Sequence, residues 1–327
     1  MYNFNEVKVI EEIKNKKARN VLLQFPEGLK KEATKFSNSL EKEGINVTVA
    51  GDHCWGACDL ALNDAKNIKA DLLVHFGHVE FNKVDFPVLY VPISYECNIR
   101  EFFDEMQFKV GSYTKIGLLA SIQHVHQLEE VKKFLELFME EAIIPDKKGF
   151  SRFDGHVLGC EYNSVKAIND KVDTFLVLGN KFHALGVALC TDKPVLLLDV
   201  VNKEFTEMKE LKGKTIKQRA IAISKVKEAR KIGLIISSKS GQHFGSFKKV
   251  KEDLEKMDKE VIVLTMNEIT NDKLVNFYDI EAFVEFACPR VAVEDYSKLE
   301  KPIINYREAL VVTGKLEWNE LLKQGLL

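Results

Sequence analysis

Residues 18–44, ARNVLLQFPEGLKKEATKFSNSLEKEG, hold an apolar run, a polar turn at Pro26–Gly28 and then an amphipathic helical pattern. A strand feeding a helix in this way is the opening of a parallel α/β unit. The same reading recurs at 113–120 (YTKIGLLA, then SIQHVHQLEEVKKFLELFMEE) and at 229–236 (ARKIGLII, then SSKSGQHFGSFKKVKEDLEKM). Each unit later carries another strand-like run: ADLLVHFGHVEF (70–81), VDTFLVLGNKFHALG (172–186) and IEAFVEFACPRVAVED (280–295). A proline-led strand follows each of them, at FPVLYVP (86–92), KPVLLLDV (193–200) and KPIINY (301–306).

Any α/β chain shows some strand–helix similarity, but a matched proline before the last strand, three times over, favours triplication. The expected fold is α/β, with three quasi-equivalent domains at 1–110, 111–228 and 229–327. Each would be a small parallel sheet covered by helices, arranged around a central site.

The 327 residues are 46% hydrophobic and 29% charged, enough to bury one large core or a few smaller ones. Net charge is −2 with both signs interspersed, so no field for nucleic acid or an anionic membrane is expected. The amino-terminal segment is charged and lacks the apolar core of a secretion signal, and no run is long enough to span a membrane. The expectation is a cytoplasmic protein.

Six cysteines in such a compartment are not expected to form structural disulfides. Most free cysteines are small buried hydrophobes, which suits Cys97 and Cys190. Cys58, Cys160 and Cys288 differ in position. Each lies at or just past the carboxyl end of a strand-like run, one per copy, and each is over a hundred residues from the next. Cys58 follows the second strand of copy one, Cys160 closes GHVLGCEY as the second strand of copy two, and Cys288 closes the third strand of copy three. Parallel α/β sheets place ligands beyond the carboxyl ends of their strands. If the copies face a common centre, three thiolates can meet there and hold an iron–sulfur cluster with one iron open.

Zinc competes with this reading. Structural zinc sites use pairs of close ligands, and the close cysteine pair here is Cys54 and Cys58, with no second pair. Cys54 is read as a spare thiol or reserve ligand. His75 and His78 form an H-x2-H pair that could bind metal, although residues at such a turn need not point the same way. Asp59 is expected to brace the Cys58 loop, and Trp55 either to shield that loop or simply to pack. His124, His126 and His243 read as solvated or helix-capping residues.

GACDLA (56–61), HFGH (75–78), VLGC (157–160), SSKSGQ (237–242) and ACPRVAVED (287–295) resemble the archaeal Dph2 proteins of diphthamide biosynthesis, in order and across essentially the whole chain. The resemblance implies three quasi-equivalent domains and a 4Fe-4S cluster on Cys58, Cys160 and Cys288, with no catalytic residue beyond the cluster. It implies S-adenosylmethionine (SAM) as substrate. Its Cγ–S bond would be cleaved reductively, giving a 3-amino-3-carboxypropyl radical and 5′-methylthioadenosine. The radical would add to a histidine of translation elongation factor 2. A homodimer and an electron donor are implied as partners.

Residues expected to contact SAM are Gln242, Lys239 and Gly241 in the strand–helix loop, Arg290 and His78. Arg290 either grips a carboxylate bidentately or makes a surface ion pair with Glu294 or Asp295. Two other readings stand beside this one. A quinolinate synthase-like enzyme would use the open iron as a Lewis acid, and a sensor would hold a cluster or zinc without catalysis.

Overall fold

The proline-led strands close three sheets built to one plan. In the computed structural model, which describes residues 1–327, the first sheet contains Asn20–Gln24, Asn46–Val49, Leu72–Phe76 and Val88–Val91, all parallel. The third contains Lys231–Ser237, Glu260–Met266, Ala282–Glu285 and Ile303–Asn305, also all parallel. Both have the spatial order second, first, third, fourth. The middle sheet repeats that order with Lys115–Ala120, Glu141–Ile143, Thr174–Leu178 and Val195–Asp199, and adds Glu204–Glu207 antiparallel at its edge.

The repeated chemistry explains the repeated order. An acid opening each third strand satisfies the start of the first: Asp71 accepts from the Arg19 and Asn20 amides, Asp173 from those of Thr114 and Lys115, and Glu281 from that of Arg230. The matched prolines have an equally specific use. The carbonyls of Pro87, Pro194 and Pro302 accept from the amides of Leu73, Phe175 and Phe283, setting the register of the fourth strand against the third. Every residue of the third strands is buried, as expected for a central strand covered on both faces. In the second and third sheets a glycine of the first strand lies opposite a phenylalanine of the third, Gly117 against Phe175 and Gly233 against Phe283. A Cβ at either glycine would stand 2.6 Å from that ring.

One expectation needs correction. GHVLGCEY is not the second strand of copy two; that strand is Glu141–Ile143, and His156 makes only an isolated bridge to Ala120. Cys160 therefore lies in the long loop after the second strand, as Cys58 does in copy one.

The chain forms two compact units. The first comprises Met1–Arg100, Ile122–Gln127 and Lys239–Gly241, and contains the first sheet over a core of Leu23, Phe25, Phe36, Leu40 and Phe76. The second comprises Glu101–Ser121, Leu128–Ser238 and Gln242–Leu327, and contains the other two sheets, whose apolar faces share one core. Its longest helix, Lys209–Glu228, contributes Ala222, Ile223 and Val226 to that core. The same helix buries Arg219 against Glu308, with both side chains fully excluded from solvent. No helix is long and apolar enough to cross a membrane.

Candidate functional site

In the first unit the loop after the second strand runs through Cys54 to Cys58 and turns on an Asp59 amide to Gly56 carbonyl bond of 2.9 Å. Asp59 braces the loop from within. Its carboxylate accepts from the Trp55 amide at 3.3 Å and from Lys239 Nζ at 2.6 Å, an ion pair whose side chains are 10% and 5% exposed. Burial makes such a pair costly to break, because the remaining charge is left uncompensated. Beside it the Gly241 amide donates to the Cys58 carbonyl at 3.0 Å. A Cβ on Gly241 would stand 2.6 Å from Cys58 Cα, so glycine is required there for close approach, not for a positive φ. Asn82 Oδ1 and Ser240 Oγ are buried without a protein partner in this neighbourhood, which suits a site that receives a polar group. Trp55 is 62% exposed and stacks on His53, so it does not seal the loop.

Below this loop a hydrogen-bond chain fixes two histidines. Gln24 Nε2 donates to the Asp59 carbonyl at 2.7 Å, while its Oε1 accepts from the Ala61 amide at 3.2 Å and faces His75 Nδ1 at 2.8 Å. The amide cannot flip without losing two bonds, so His75 carries its proton on Nδ1 and offers a lone pair at Nε2. That nitrogen lies 3.0 Å from His78 Nδ1. Burial drives the His75 pKa well below the ordinary value and that of His78 down to about 4. Cys54 is buried, and burial followed by the nearby Asp59 charge pushes its thiol up to about 12. The two histidines and Cys54 each present a ligand atom within 4.8 Å of the others.

The other two expected cysteines belong to the second unit. Cys288 precedes the short helix Pro289–Glu294, with proline at its first position. Arg290 is buried, and its Nη1 donates to Tyr162 Oη at 3.2 Å, two residues past Cys160. Nη2 donates to the Phe182 carbonyl at 2.7 Å and pairs with Glu294, and the guanidinium lies 4.1 Å over the Phe182 ring. The ion pair with Glu294 is thus present, but interior rather than on the surface. Arg290 Nε has no protein partner. Two glycines make room for this cluster of side chains. A Cβ on Gly186 would overlap Tyr162 Oη, and one on Gly159, at φ +91°, would overlap the Phe182 ring. Gln242 is buried and its Oε1 accepts from Ser237 Oγ at 3.4 Å.

The six thiols sort by environment. Cys58, Cys160 and Cys288 are in no disulfide and are partly exposed, as thiolate ligands of a reachable cofactor must be. Cys190 is buried with its thiol pushed up to about 11, chiefly by burial, and Cys54 is buried likewise. Cys97, expected as a buried hydrophobe, is partly exposed and accepts from Gln127 Nε2. The donor chemistry of the first three fits an iron–sulfur cluster. Tyr162 and Phe182 were not singled out from sequence. They lie on different turns and strands from the motifs they support, and only the fold puts them there.

Residues 25–322 match the model of the diphthamide synthesis protein family. The chain is 32% identical to 2-(3-amino-3-carboxypropyl)histidine synthase of Pyrococcus horikoshii, over 98% of this chain and 94% of that protein. It is 30% identical to the enzyme of the same name from Methanocaldococcus jannaschii, over 94% and 89%. Among solved structures it is similar to the crystal structure of Dph2 from Pyrococcus horikoshii with a 4Fe-4S cluster. That match has a TM-score of 0.89 and 32% identity, and covers 99% of this chain and 95% of that one. The chain belongs to the diphthamide synthesis protein family.

Proposed function

We propose that this protein catalyses the first step of diphthamide biosynthesis, transferring the 3-amino-3-carboxypropyl group of SAM to a histidine of translation elongation factor 2. One observation carries the reading: three partly exposed cysteines, none in a disulfide, sit in strand-to-helix loops of three like-ordered sheets. The full-length similarity to a cluster-bearing Dph2 supports it. Cys58, Cys160 and Cys288 would hold the 4Fe-4S cluster. When bound, that cluster supplies an open iron for the methionine end of SAM and the electron that breaks its Cγ–S bond.

The protein's own groups prepare this chemistry. Gly241 and the Lys239–Asp59 pair hold the Cys58 loop in one conformation. Arg290 holds the loops of Cys160 and Cys288 to each other through Tyr162 and Phe182, and its unpartnered Nε is a donor available to a carboxylate. Gln242 and His78 are the remaining candidates for SAM contacts. The repeated sheets support three structural copies bounded at 1–110, 111–228 and 229–327. A homodimer in the cytoplasm, served by a separate electron donor, completes the proposal.

The test is anaerobic incubation of cluster-reconstituted protein with SAM, dithionite and elongation factor 2, followed by mass spectrometry. One added aminocarboxypropyl group with release of methylthioadenosine, lost in Cys160→Ala, is the expected result. A cluster that forms while SAM stays intact overturns the reading and favours a Lewis-acid enzyme or a sensor.

A further inference from the structure

We infer that Cys54, His75 and His78 form a second metal site, separate from the three proposed cluster cysteines, that takes a divalent ion of the zinc class. This inference goes beyond the proposed transferase activity and does not depend on it; it assigns His78 Nδ1 to the metal and leaves only His78 Nε2 for any contact with SAM.

The argument begins with what packing alone leaves unexplained. A pair of hydrogen-bonded histidines in an interior is ordinary, and so is a buried cysteine. Here the three occur together, with ligand atoms within 4.8 Å of one another, on segments that the fold and not the sequence makes adjacent. His75 is the fourth residue of the strand Leu72–Phe76, and His78 follows the left-handed Gly77, at φ +84°. That turn reverses the chain enough to bring His78 Nδ1 to 3.0 Å from His75 Nε2, close to the spacing of two nitrogens on one tetrahedral ion. Cys54 comes from the loop after the second strand, with the first strand lying between that strand and the one that carries His75. The ligand spacing is therefore C-x20-H-x2-H, and the C-x3-C pairing with Cys58 is not the relevant one.

The surroundings match those of a built site. Ligating histidines ordinarily donate their second ring N–H to an oxygen that fixes tautomer and orientation. His75 does so to Gln24 Oε1 at 2.8 Å, and Gln24 is itself locked by Ala61 and Asp59. One thiolate and two neutral imidazoles suit zinc and exclude the hard cations that seek oxygen. Binding releases one proton from the Cys54 thiol to solvent, and His78 shifts its ring proton to Nε2, so charge balances. Three protein donors leave a tetrahedral ion one position for solvent. The ion would tie the loop carrying Cys58 to the end of the third strand.

The test uses Co2+ as a spectroscopic stand-in for Zn2+, in a chain carrying Cys58→Ser, Cys160→Ser and Cys288→Ser so that no cluster can form. A saturable thiolate-to-cobalt charge-transfer band with tetrahedral d–d absorption is expected, displaced by Zn2+. Adding Cys54→Ser should abolish the charge-transfer band. Gln24→Leu, which retains all three donors, should weaken binding about 10–100-fold. Circular dichroism of each variant separates lost binding from lost fold. No saturable band in a folded triple-serine chain, or a band indifferent to Cys54→Ser, overturns the inference. Neither result bears on the transferase, whose ligands are absent from the assay.

Discussion

Arg290 and Tyr162, each two residues beyond a proposed cluster ligand, meet through an Nη1–Oη hydrogen bond of 3.2 Å, and both side chains are buried. The bond links the loop of Cys288 to the loop of Cys160 without involving either sulfur. Each unmet donor of a buried guanidinium is costly, and Tyr162 offers Nη1 a neutral acceptor, its phenol held protonated chiefly by burial. Tyr162→Phe removes that acceptor and little else. The expected loss is about 1–3 kcal/mol of stability, with native circular dichroism but reduced iron and sulfide per chain after reconstitution. Full cluster content in that variant would show that the link is dispensable for placing the cysteines.

Gly241→Ala addresses the Cys58 loop by sterics alone. The new methyl would stand 2.6 Å from Cys58 Cα and 2.9 Å from its Cβ, so backbone must move and the Gly241–Cys58 bond must stretch or break. A cost of about 1–3 kcal/mol follows from overpacking. Gly28→Ala is the control, since nothing lies within 4 Å of a Cβ there and its φ is not positive. Its stability should stay within about 0.5 kcal/mol of the parent. Urea midpoints of the two variants, measured together, check both expectations.

Away from the site, Arg219 has its donors spent on Glu308 Oε1 and Oε2 at 2.7 Å each and on the carbonyls of Ala292 and Ile303. Glu308 also completes a capping box with Asn305 at the start of the helix Tyr306–Val312. Glu308→Ala would strand a fully buried cation and remove a cap at once. The expected loss is about 3–5 kcal/mol, read as a lowered urea midpoint, with incomplete folding as the extreme result. A change below 1 kcal/mol would mean the guanidinium finds solvent or another acceptor.

The sequence is informative where a residue acts through its own strand or turn. The threefold plan was legible because a proline precedes each fourth strand at a similar distance from the third, and the structure gives that proline a carbonyl bond to make. The positions of Cys58 and Cys288 were legible for the same reason. Cys160 was read as closing a strand that does not form, since within GHVLGCEY only His156 makes a bridge to a strand. Contacts between distant segments were not legible. Arg290 does pair with Glu294, one of the two acids expected, but its bond to Tyr162, 128 residues away, has no sequence signal. The Cys54–His75–His78 grouping was hidden because the left-handed turn at Gly77 decides where His78 points.

Acid should weaken the metal-free protein through the two histidines. Burial lowers His78 from 6.5 to about 4 and holds His75 well below 6.5, so in this range the unfolded chain binds protons that the folded chain does not. Their contribution is therefore complete above about pH 6.5 and is lost as pH falls toward 4. For His78 alone it amounts to about 2–3 kcal/mol. Glu285 has the opposite sign. Burial raises its carboxyl well above 4.5, with one oxygen accepting from the Ala287 amide, so the folded chain keeps a proton the unfolded chain has lost and stability declines as pH rises above 4.5. Stability measured from pH 4 to 8 in chelator separates the two. Relative to the parent, Glu285→Gln should gain stability with rising pH, because its amide needs no proton. His78→Gln should lose its disadvantage as pH falls to 4. Parallel curves for parent and His78→Gln would mean that His78 titrates normally and is open to solvent.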